Sequence, residues 1–154
     1  MLGVYGDKLC LCDWVTGLRS QKTIKRIQSR ISGENPLDRE DLLDIAEMQL
    51  DEYFYGRRRE FDLDVMPIGT EFQQLVWQDL TRVSYGQTAS YQSIADSIGH
   101  PRSVRAVANA IGANPLSIFI PCHRIIGSSG SLTGYAGGQD AKRYLLSLEA
   151  EGAK

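Results

Sequence analysis

The sequence predicts a mixed α/β chain, with a small N-terminal part of strands and helix followed by a mainly α C-terminal part. Three observations predict this. Apolar and polar residues alternate near the N-terminus and again at 61–65, five stretches follow a helical period, and 90–112 has the form helix, short glycine-containing turn, helix. Residues 67–70, Pro-Ile-Gly-Thr, are interpreted as a linker. We therefore expect an N-terminal domain over 1–66 and a C-terminal domain over 67–154.

The composition is that of an ordinary globular protein, with 42% hydrophobic and 23% charged residues. No apolar run approaches the ~20 residues that span a bilayer, so no membrane role is expected. An odd number of cysteines and an N-terminus without a secretory signal predict a cytoplasmic location. The net charge of −2 divides into −5 for residues 1–80 (10 basic, 15 acidic) and +3 for 81–154 (7 basic, 4 acidic). This division permits a polyanion to bind the second half and leaves the first half clear of it.

The N-terminal elements follow from periodicity and turn residues. Residues 1–15 form a predicted hairpin, with Gly-Asp-Lys as its turn. An amphipathic helix is predicted over 35–56, because apolar residues follow the helical period, acids crowd its first turns, and Gly56 ends it. Residues 61–65 alternate as a strand.

The C-terminal elements follow from capping residues and glycines. Thr70, with Gln73 three positions later, has the pattern of a capping box. The predicted elements are a helix from Thr70 through Leu80, a short helix capped by Ser90, a helix ended by Gly112, a glycine-rich loop or hairpin at 127–138, and a last helix from about Gln139 to Glu149.

The paired helices at 90–112 are a helix-turn-helix candidate. In the second helix, Arg102, Arg105 and Asn109 share one face because they are spaced by three and four residues. Other exposed positions are predicted to be small, such as Ala106 and Ala110, so the helix can approach a duplex closely. A plain helical hairpin with a solvated basic face explains the same pattern, and both interpretations stay open on these residues.

The segment Ile-Pro-Cys-His-Arg-Ile-Ile at 120–126 places Cys122 beside His123 in what reads as a buried strand. Neighbours on a strand point to opposite faces, so the chain must turn here or a water must relay the proton. An ordinary thiol, with a pKa near ~8.5, needs a base to become reactive, and the base needs an orienting acid. Glu149 is the best downstream carboxylate. The alternative is a core cysteine with chance neighbours.

Cys10 and Cys12 are interpreted as small core residues. No second cluster of cysteine and histidine accompanies them, so no zinc or other metal site is expected.

The stretch 114–124, Asn-Pro-Leu-Ser-Ile-Phe-Ile-Pro-Cys-His-Arg, with Gly-Tyr at 134–135, resembles the active-site segment of the O6-alkylguanine-DNA alkyltransferases. These are also called methylated-DNA–protein-cysteine methyltransferases. The resemblance covers about 70–149, whereas residues 1–65 match weakly. It favours the reactive thiol and the helix-turn-helix over their alternatives. It also implies a ribonuclease-H-like α/β N-terminal domain and a winged-helix-like C-terminal domain.

The resemblance implies DNA repair. The alkyl group of O6-methylguanine, and of O4-methylthymine, would pass irreversibly to Cys122 after the damaged base has left the duplex. The thioether product has no good leaving group, so each molecule acts once, as a monomer, on double-stranded DNA and without a cofactor. Rival interpretations are a non-catalytic lesion sensor, a cysteine hydrolase and a sequence-specific regulator. Cys122 speaks against a sensor, and the chain has no obvious dimerisation segment for a regulator.

Family roles carry over to matching positions. Cys122 is the implied alkyl acceptor, His123 takes its proton through a bound water, and Glu149 holds the imidazole. Asn114 matches the asparagine that braces the turn around the cysteine. Tyr91 matches the tyrosine that helps rotate the nucleotide and can donate a proton to the departing guanine.

The remaining matches concern the base pocket and the duplex. Tyr135 matches the tyrosine that lies against the flipped guanine, and Ala136 stands where some members have a serine. Ser117 and Thr133 stand where human-type members have proline and glycine, and the bulkier Thr133 predicts a narrow pocket that resists O6-benzylguanine. By resemblance the recognition helix enters the minor groove, with Arg105 in the vacated place of the base. The predicted DNA-contacting residues are Ser90, Tyr91, Arg102, Arg105, Asn109 and Arg124.

Overall fold

The computed structural model describes residues 1–15, 18–31 and 39–154. Over these residues the chain forms six α-helices and four short strands. None of the helices in the described part of the chain is long and apolar enough to cross a bilayer. The elements are β1 (Leu2–Tyr5), β2 (Lys8–Cys12), α1 (Leu18–Gln28), α2 (Glu40–Phe54), α3 (Glu71–Leu80), β3 (Ala89–Ser90), α4 (Tyr91–Ser97), α5 (Val104–Gly112), β4 (Ile125–Ile126) and α6 (Gly138–Gly152), with a single 3-10 turn at Cys122–Arg124.

The predicted N-terminal hairpin is confirmed. Strands β1 and β2 pair antiparallel, and Gly6 takes a φ of 60° in the turn between them, a conformation that suits glycine. The predicted helix over 35–56 is present as α2, although its predicted start at 35–38 lies outside the described residues.

The predicted strand at 61–65 is wrong, apart from an isolated bridge between Val65 and Leu9. The Asp62 N–H donates to the side chain of Gln49 on α2 at 3.1 Å instead of to a neighbouring strand. Phe61 packs against aromatic rings on both sides. Pairing with β2 is limited to the bridge at Val65, where the Leu9 N–H donates to the Asp64 carbonyl at 3.0 Å and the Met66 N–H donates to the Leu9 carbonyl at 2.8 Å.

Helix α1 is an element that the sequence analysis does not predict. Ile27 is buried, and Ile24 and Ile31 pack around it against Cys10 and Leu11 of the hairpin. Three isoleucines give too weak a helical period to predict α1 from the sequence. The helix is stabilised by the packing of these residues against β2.

The predicted helix starts in the second half are confirmed. Thr70 and Gln73 exchange the two hydrogen bonds of a capping box at the start of α3, and Ser90 accepts a hydrogen bond from the Ser93 N–H at the start of α4. Helices α4 and α5 pack against each other, and Gly99, with a φ of 76°, lies in the turn between them.

One hydrophobic core serves both parts of the chain. It includes Leu9 and Tyr53 from the N-terminal elements and Trp77, Ile111 and Leu145 from the helical part. The Trp77 indole N–H donates to the carbonyl of Ala110 at 2.7 Å, which fixes α3 against α5. The segment 114–126, which contains Cys122, therefore lies in a core that both halves of the chain share.

Strand β2 holds the segment that precedes Cys122. Cys12 forms a parallel bridge with Leu116, in which the Cys12 N–H donates to the Pro115 carbonyl at 2.9 Å and the Ser117 N–H donates to the Cys12 carbonyl at 2.6 Å. The N-terminal hairpin thereby fixes the position of the loop 114–121.

Candidate active site and nucleic-acid interface

Cys122 begins a single 3-10 turn instead of continuing a strand. The Arg124 N–H donates to the Pro121 carbonyl at 3.1 Å. The strand predicted over 120–126 is therefore wrong except for β4, which pairs in parallel with β3. Proline lacks an N–H and fixes φ, so it favours a turn at this place. Since the chain turns, Cys122 and His123 are not forced to opposite faces.

Asn114 braces this turn from the inside. Its Nδ2 donates to the Ile120 carbonyl at 2.9 Å and to Cys122 Sγ at 3.1 Å, and its Oδ1 accepts from the Leu116 N–H at 3.0 Å. The side chain is buried, so these contacts are shielded from water. A donor aimed at sulfur favours the thiolate, and this is the place that the resemblance assigns to Asn114.

The loop between Asn114 and Cys122 carries backbone strain at Ile118. Ile118 takes a φ of 75° and is the one non-glycine residue with positive φ in the described part of the chain. For a β-branched residue this conformation costs about 1–3 kcal/mol. Hydrogen bonds hold it from both sides, through the Ser117 N–H to Cys12 and the Ile120 N–H to the Leu116 carbonyl.

Burial makes Cys122 a poor acid in the resting protein. Its desolvation raises the pKa of the thiol to about 11, although the hydrogen bond from Asn114 and the nearby positive charge of Lys142 oppose the rise. Cys12 is also buried, which raises its pKa to about 12. The thiol of Cys122 is therefore protonated at neutral pH and needs a base.

His123 can act as that base. The residue is fully buried, and its desolvation lowers the pKa of the imidazole, against the opposing effect of Glu149. Nε2 lies 2.8 Å from Glu149 Oε1. A neutral ring with its hydrogen on Nε2 leaves Nδ1 as an acceptor, and this buried Nδ1 has no hydrogen-bond partner among the described residues. A proton-relaying water suits such an atom.

Glu149 is the centre of a buried hydrogen-bond network. Its two carboxylate oxygens accept from His123, from both Nε and Nη2 of Arg124 at 2.9 Å each, and from the Gly86 N–H at 3.1 Å. Burial acts to raise its pKa, but the bonds from His123 and Arg124 outweigh this and lower it to about 2. The carboxylate is therefore ionised throughout the physiological range.

Two further residues join the site without having been predicted. Tyr53 of α2 is fully buried, and its hydroxyl donates to Glu149 Oε1 at 2.7 Å and lies 3.4 Å from His123 Nε2. Lys142 is buried in α6 and donates to the Ile125 carbonyl. The spacing of Lys142 from Glu149 places both on the inward face of α6, a signal that was available. No sequence signal connects Tyr53 to a carboxylate so distant in the chain.

Arg124 is a correction to the predicted DNA-contacting residues. Only 7% of the residue is exposed, and its guanidinium is occupied by Glu149 and by the Val83 carbonyl, which accepts from Nη1 at 2.6 Å. The Arg124 side chain therefore stabilises the buried network and does not face a DNA duplex. The sequence shows that position 124 is an arginine, but it could not show that a buried carboxylate binds it.

Tyr135, a predicted pocket residue, is buried between Trp14 and His123. The Trp14 indole N–H donates to Tyr135 Oη at 2.9 Å, and the two rings pack edge to face. The ring centroid of Tyr135 lies 6.4 Å from that of His123. Ala136 is half-buried. Trp14 was not predicted, because its contact with Tyr135 joins opposite ends of the chain.

The other two predicted pocket residues occupy different environments. Thr133 is exposed, and its carbonyl accepts from the Tyr91 hydroxyl at 3.1 Å. Ser117 is 1% exposed, and its hydroxyl donates to Asp13 at 3.3 Å. The Ser117 side chain therefore ties the loop to the N-terminal part, in contrast to its predicted place in the pocket wall.

The predicted DNA-contacting face of α5 is exposed. Arg105, Ala106 and Asn109 of α5 are exposed, whereas Ala110, predicted to be exposed, is buried. Arg102 is also exposed, but it lies in the turn before α5, which begins at Val104, and not in the helix as predicted. Ser90 at the start of α4 is half-buried. The structure holds Cys122 and this exposed face in one body, because α3 contacts α5 and the buried residues of α5 share one hydrophobic core with those of the loop 114–121.

Comparisons with known proteins extend this picture. The family model described as "6-O-methylguanine DNA methyltransferase, DNA binding domain" matches residues 71–151, more than half of the chain. A methylated-DNA–protein-cysteine methyltransferase of Methanosarcina barkeri is 54% identical over 104 residues, which are 68% of this chain and 66% of that protein. One of Mycobacterium tuberculosis is 54% identical over 101 residues, which are 66% of this chain and 61% of that protein. The matched region thus spans just under two thirds of these relatives.

Solved structures align over almost the whole chain. The crystal structure of Mycobacterium tuberculosis OGT in complex with DNA has 40% sequence identity and a TM-score of 0.78, covering 98% of this chain and 86% of that one. The crystal structure of Mycobacterium tuberculosis O6-methylguanine methyltransferase has 39% identity and a TM-score of 0.81, covering 99% and 87%. Like them, this chain combines helices and strands, and it belongs to the O6-methylguanine-DNA methyltransferase family.

Proposed function

We propose that the protein repairs DNA by transferring the alkyl group of O6-methylguanine, and of O4-methylthymine, to Cys122 in a single turnover. The observation that carries this is the buried arrangement in which Asn114 donates to Cys122 Sγ while Glu149 holds His123. A protonated, shielded thiol is suited to one reaction with a docked base. Membership of the family and the DNA complex of the Mycobacterium tuberculosis relative support the same activity.

The proton moves first. A water accepts the thiol proton and passes one to Nδ1 of His123, and Glu149 stabilises the imidazolium through Nε2. The thiolate attacks the alkyl carbon, so the S–C bond forms as the C–O6 bond breaks and its electron pair returns to guanine. Tyr91 donates a proton to the departing base. The thioether persists, so the protein acts once.

The base reaches the thiol by leaving the duplex, which costs a few kcal/mol. In this proposal α4 and α5 are a helix-turn-helix whose second helix enters the minor groove of double-stranded DNA. Arg105 fills the vacated place, and Arg102, Asn109 and Ser90 contact the duplex around it. The exposure of Arg105 and Asn109 on α5, and of Arg102 in the turn before it, supports this assignment.

Tyr135 lies against the flipped base in the pocket, beside Ala136 and Thr133. Ala136 has no hydroxyl to offer to the guanine oxygen, so backbone N–H groups hold that atom. The Trp14 N–H occupies Tyr135 Oη as an acceptor, which leaves the Tyr135 hydroxyl hydrogen available to donate to the base.

The same proposal assigns a domain type to each half of the chain, a monomeric state and a cellular location. The N-terminal domain, 1–66, is of the ribonuclease-H-like type, and the C-terminal domain, 67–154, is winged-helix-like. The protein works as a monomer in the cytoplasm, where its three cysteines stay reduced. All three are free thiols in the structure, which supports a reducing location.

The experiment is a stoichiometric titration with a duplex that contains one O6-methylguanine. Increasing amounts of duplex are mixed with a fixed amount of protein, and guanine and O6-methylguanine are counted after digestion to nucleosides. Restoration of one guanine per protein molecule, absent in Cys122→Ala, supports the proposal. Lesion binding without restoration would identify a sensor instead. Continued turnover beyond one equivalent would identify a true catalyst.

A further inference from the structure

Helix α1 and its flanks concentrate the positive charge of the N-terminal half. The 20 residues between Asp13 and Glu34 contain five basic residues and no acidic one. The remainder of residues 1–80 has 10 − 5 = 5 basic residues against 15 acidic ones. An average over the half therefore hides a strongly basic segment in an acidic surrounding.

This basic segment lies beside the end of α5. The Arg26 Nη2 donates to the carbonyl of Ala113 at 2.6 Å. Lys22 and Arg26 of α1 line a cleft of about 270 Å³ whose other side is formed by Asn109, Gly112 and Ala113. Asn109 belongs to the exposed face of α5 that carries Arg105. The surface of α1 is therefore continuous with the predicted DNA-contacting face.

The end of α5 itself repels anions. Its final carbonyl groups carry the negative end of the helix dipole, and its last turn has no basic residue. A phosphate that approaches this end needs cations from elsewhere. Lys22 and Lys25 are exposed, and none of the ion pairs among the described residues involves either lysine. Their charges are thus available to a ligand.

We propose that α1 is a second DNA-binding surface, at which Lys22 and Lys25 contact the sugar-phosphate backbone of the strand beside the C-terminal end of α5. The inference rests on the proposed DNA-binding function and deepens it. It reverses the expectation that the first half of the chain stays clear of a polyanion. Arg26 positions this surface, because its hydrogen bond fixes α1 to Ala113, the residue before Asn114.

The test measures the affinity of the full chain for an undamaged duplex by fluorescence anisotropy at a series of salt concentrations. The variant K22Q/K25Q removes two exposed charges. A matched control, R57Q/K154Q, removes two exposed charges near the ends of α2 and α6. Each lost phosphate contact reduces the slope of log K against log[salt] by about 0.9, so the slope for K22Q/K25Q should be about 1.8 smaller than that of the wild type. This variant should also bind about tenfold more weakly at low salt. The control should match the wild type.

The variant K22R/K25R, which keeps both charges, should retain the wild-type salt dependence. Thermal unfolding of each variant identifies any loss of folding. Equal affinities for wild type and K22Q/K25Q would overturn the inference, as would an equal loss in R57Q/K154Q. A wild type that binds neither this duplex nor one containing O6-methylguanine at any salt would instead overturn the proposed function, so the two failures are distinguishable.

Discussion

The hydroxyl of Tyr53 on α2 donates to Glu149 Oε1 on α6 across 2.7 Å, and it is buried at the point where His123 meets the same oxygen. A residue of the N-terminal half thereby helps to orient the base of the proposed alkyl transfer. We therefore expect the two halves of the chain to depend on each other in stability and in reactivity.

Replacing Tyr53 by Phe should lower the free energy of unfolding by about 1.5–3 kcal/mol, because a buried hydrogen bond to a charged group is lost. Glu149 keeps its bonds to His123 and Arg124, so the protein should still fold. Urea denaturation monitored by tryptophan fluorescence measures the loss. Tyr144→Phe is the matched control, since that tyrosine is exposed. Equal stability of the two variants would contradict this role of Tyr53.

Asn114→Asp should slow alkyl transfer more than tenfold while the loop keeps its shape. The new side chain retains an acceptor for the Leu116 N–H but replaces the donor to Cys122 Sγ by an oxygen, which opposes thiolate formation. Single-turnover transfer at saturating duplex measures the effect. A pH titration of thiol reactivity should show a higher pKa for Cys122 than in the wild type. An unchanged rate would show that the donor is not needed.

Acid should destabilise the protein through Glu149 and His123. The folded-state pKa of Glu149 is lowered from 4.5 to about 2, so its contribution is complete above 4.5 and disappears as the pH falls towards 2. A shift of this size corresponds to about 3 kcal/mol. His123, whose pKa is lowered by burial, acts in the same direction, because the unfolded state binds its proton first.

Urea denaturation from pH 7 to pH 3 checks this dependence. Glu149→Gln should be less stable at pH 7 and should lose less stability below pH 5 than the wild type does. Asp140→Asn provides the control, since Asp140 is an exposed carboxylate that pairs with the exposed Arg143 on its own helix. A wild-type curve that is flat between pH 5 and pH 3 would count against an ionised, buried Glu149.

Trp14→Phe should slow transfer from duplex DNA by about fivefold, which corresponds to the loss of one hydrogen bond of about 1 kcal/mol. The indole donates to Tyr135 Oη, and without it the Tyr135 hydroxyl is free to point away from the base. The indole packs tightly against Gly137, where an added Cβ would lie 2.7 Å from it. Phenylalanine is smaller than tryptophan, so it fits in the same space without a clash. Transfer rates under single-turnover conditions measure the change. A rate equal to that of the wild type would leave Trp14 with a packing role alone.

Resistance to O6-benzylguanine tests the narrow pocket assigned to Thr133. The wild type should keep its activity in low micromolar O6-benzylguanine, and Thr133→Gly should become sensitive because the branched side chain is gone. Residual transfer activity after incubation gives the measurement. Thr133 contributes its carbonyl to Tyr91, a contact that glycine preserves. Inactivation of the wild type would remove this assignment.

The sequence predicted best where local signals were strong. The capping residues Thr70 and Ser90 fixed the starts of α3 and α4, and the periodicity of α2 was clear. Helix α1 was missed because its inward face rests on a few isoleucines and on β2. The apolar neighbours of Cys122 suggested a strand, whereas the chain makes a 3-10 turn after Pro121.

Contacts that join the N-terminal half to the site could not be predicted from the sequence. Cys122 and His123 are neighbours in the chain, and Glu149 was the best carboxylate downstream, whereas the place of Asn114 came from the resemblance. The partners Tyr53 of Glu149 and Trp14 of Tyr135 come from the N-terminal half, where the resemblance was weak. Arg124 shows the same limit, because its cation could be read but the buried carboxylate that binds it could not.

The most direct test of the proposed alkyl transfer is the mass of the protein after reaction. The chain is mixed with an excess of duplex that contains one O6-methylguanine, and intact mass and peptide masses are recorded. The proposal predicts a net gain of one CH2 per chain, confined to the peptide that contains Cys122, and no gain in Cys122→Ser. An unchanged mass despite lesion binding, or a methyl group on Cys10 or Cys12, would contradict it.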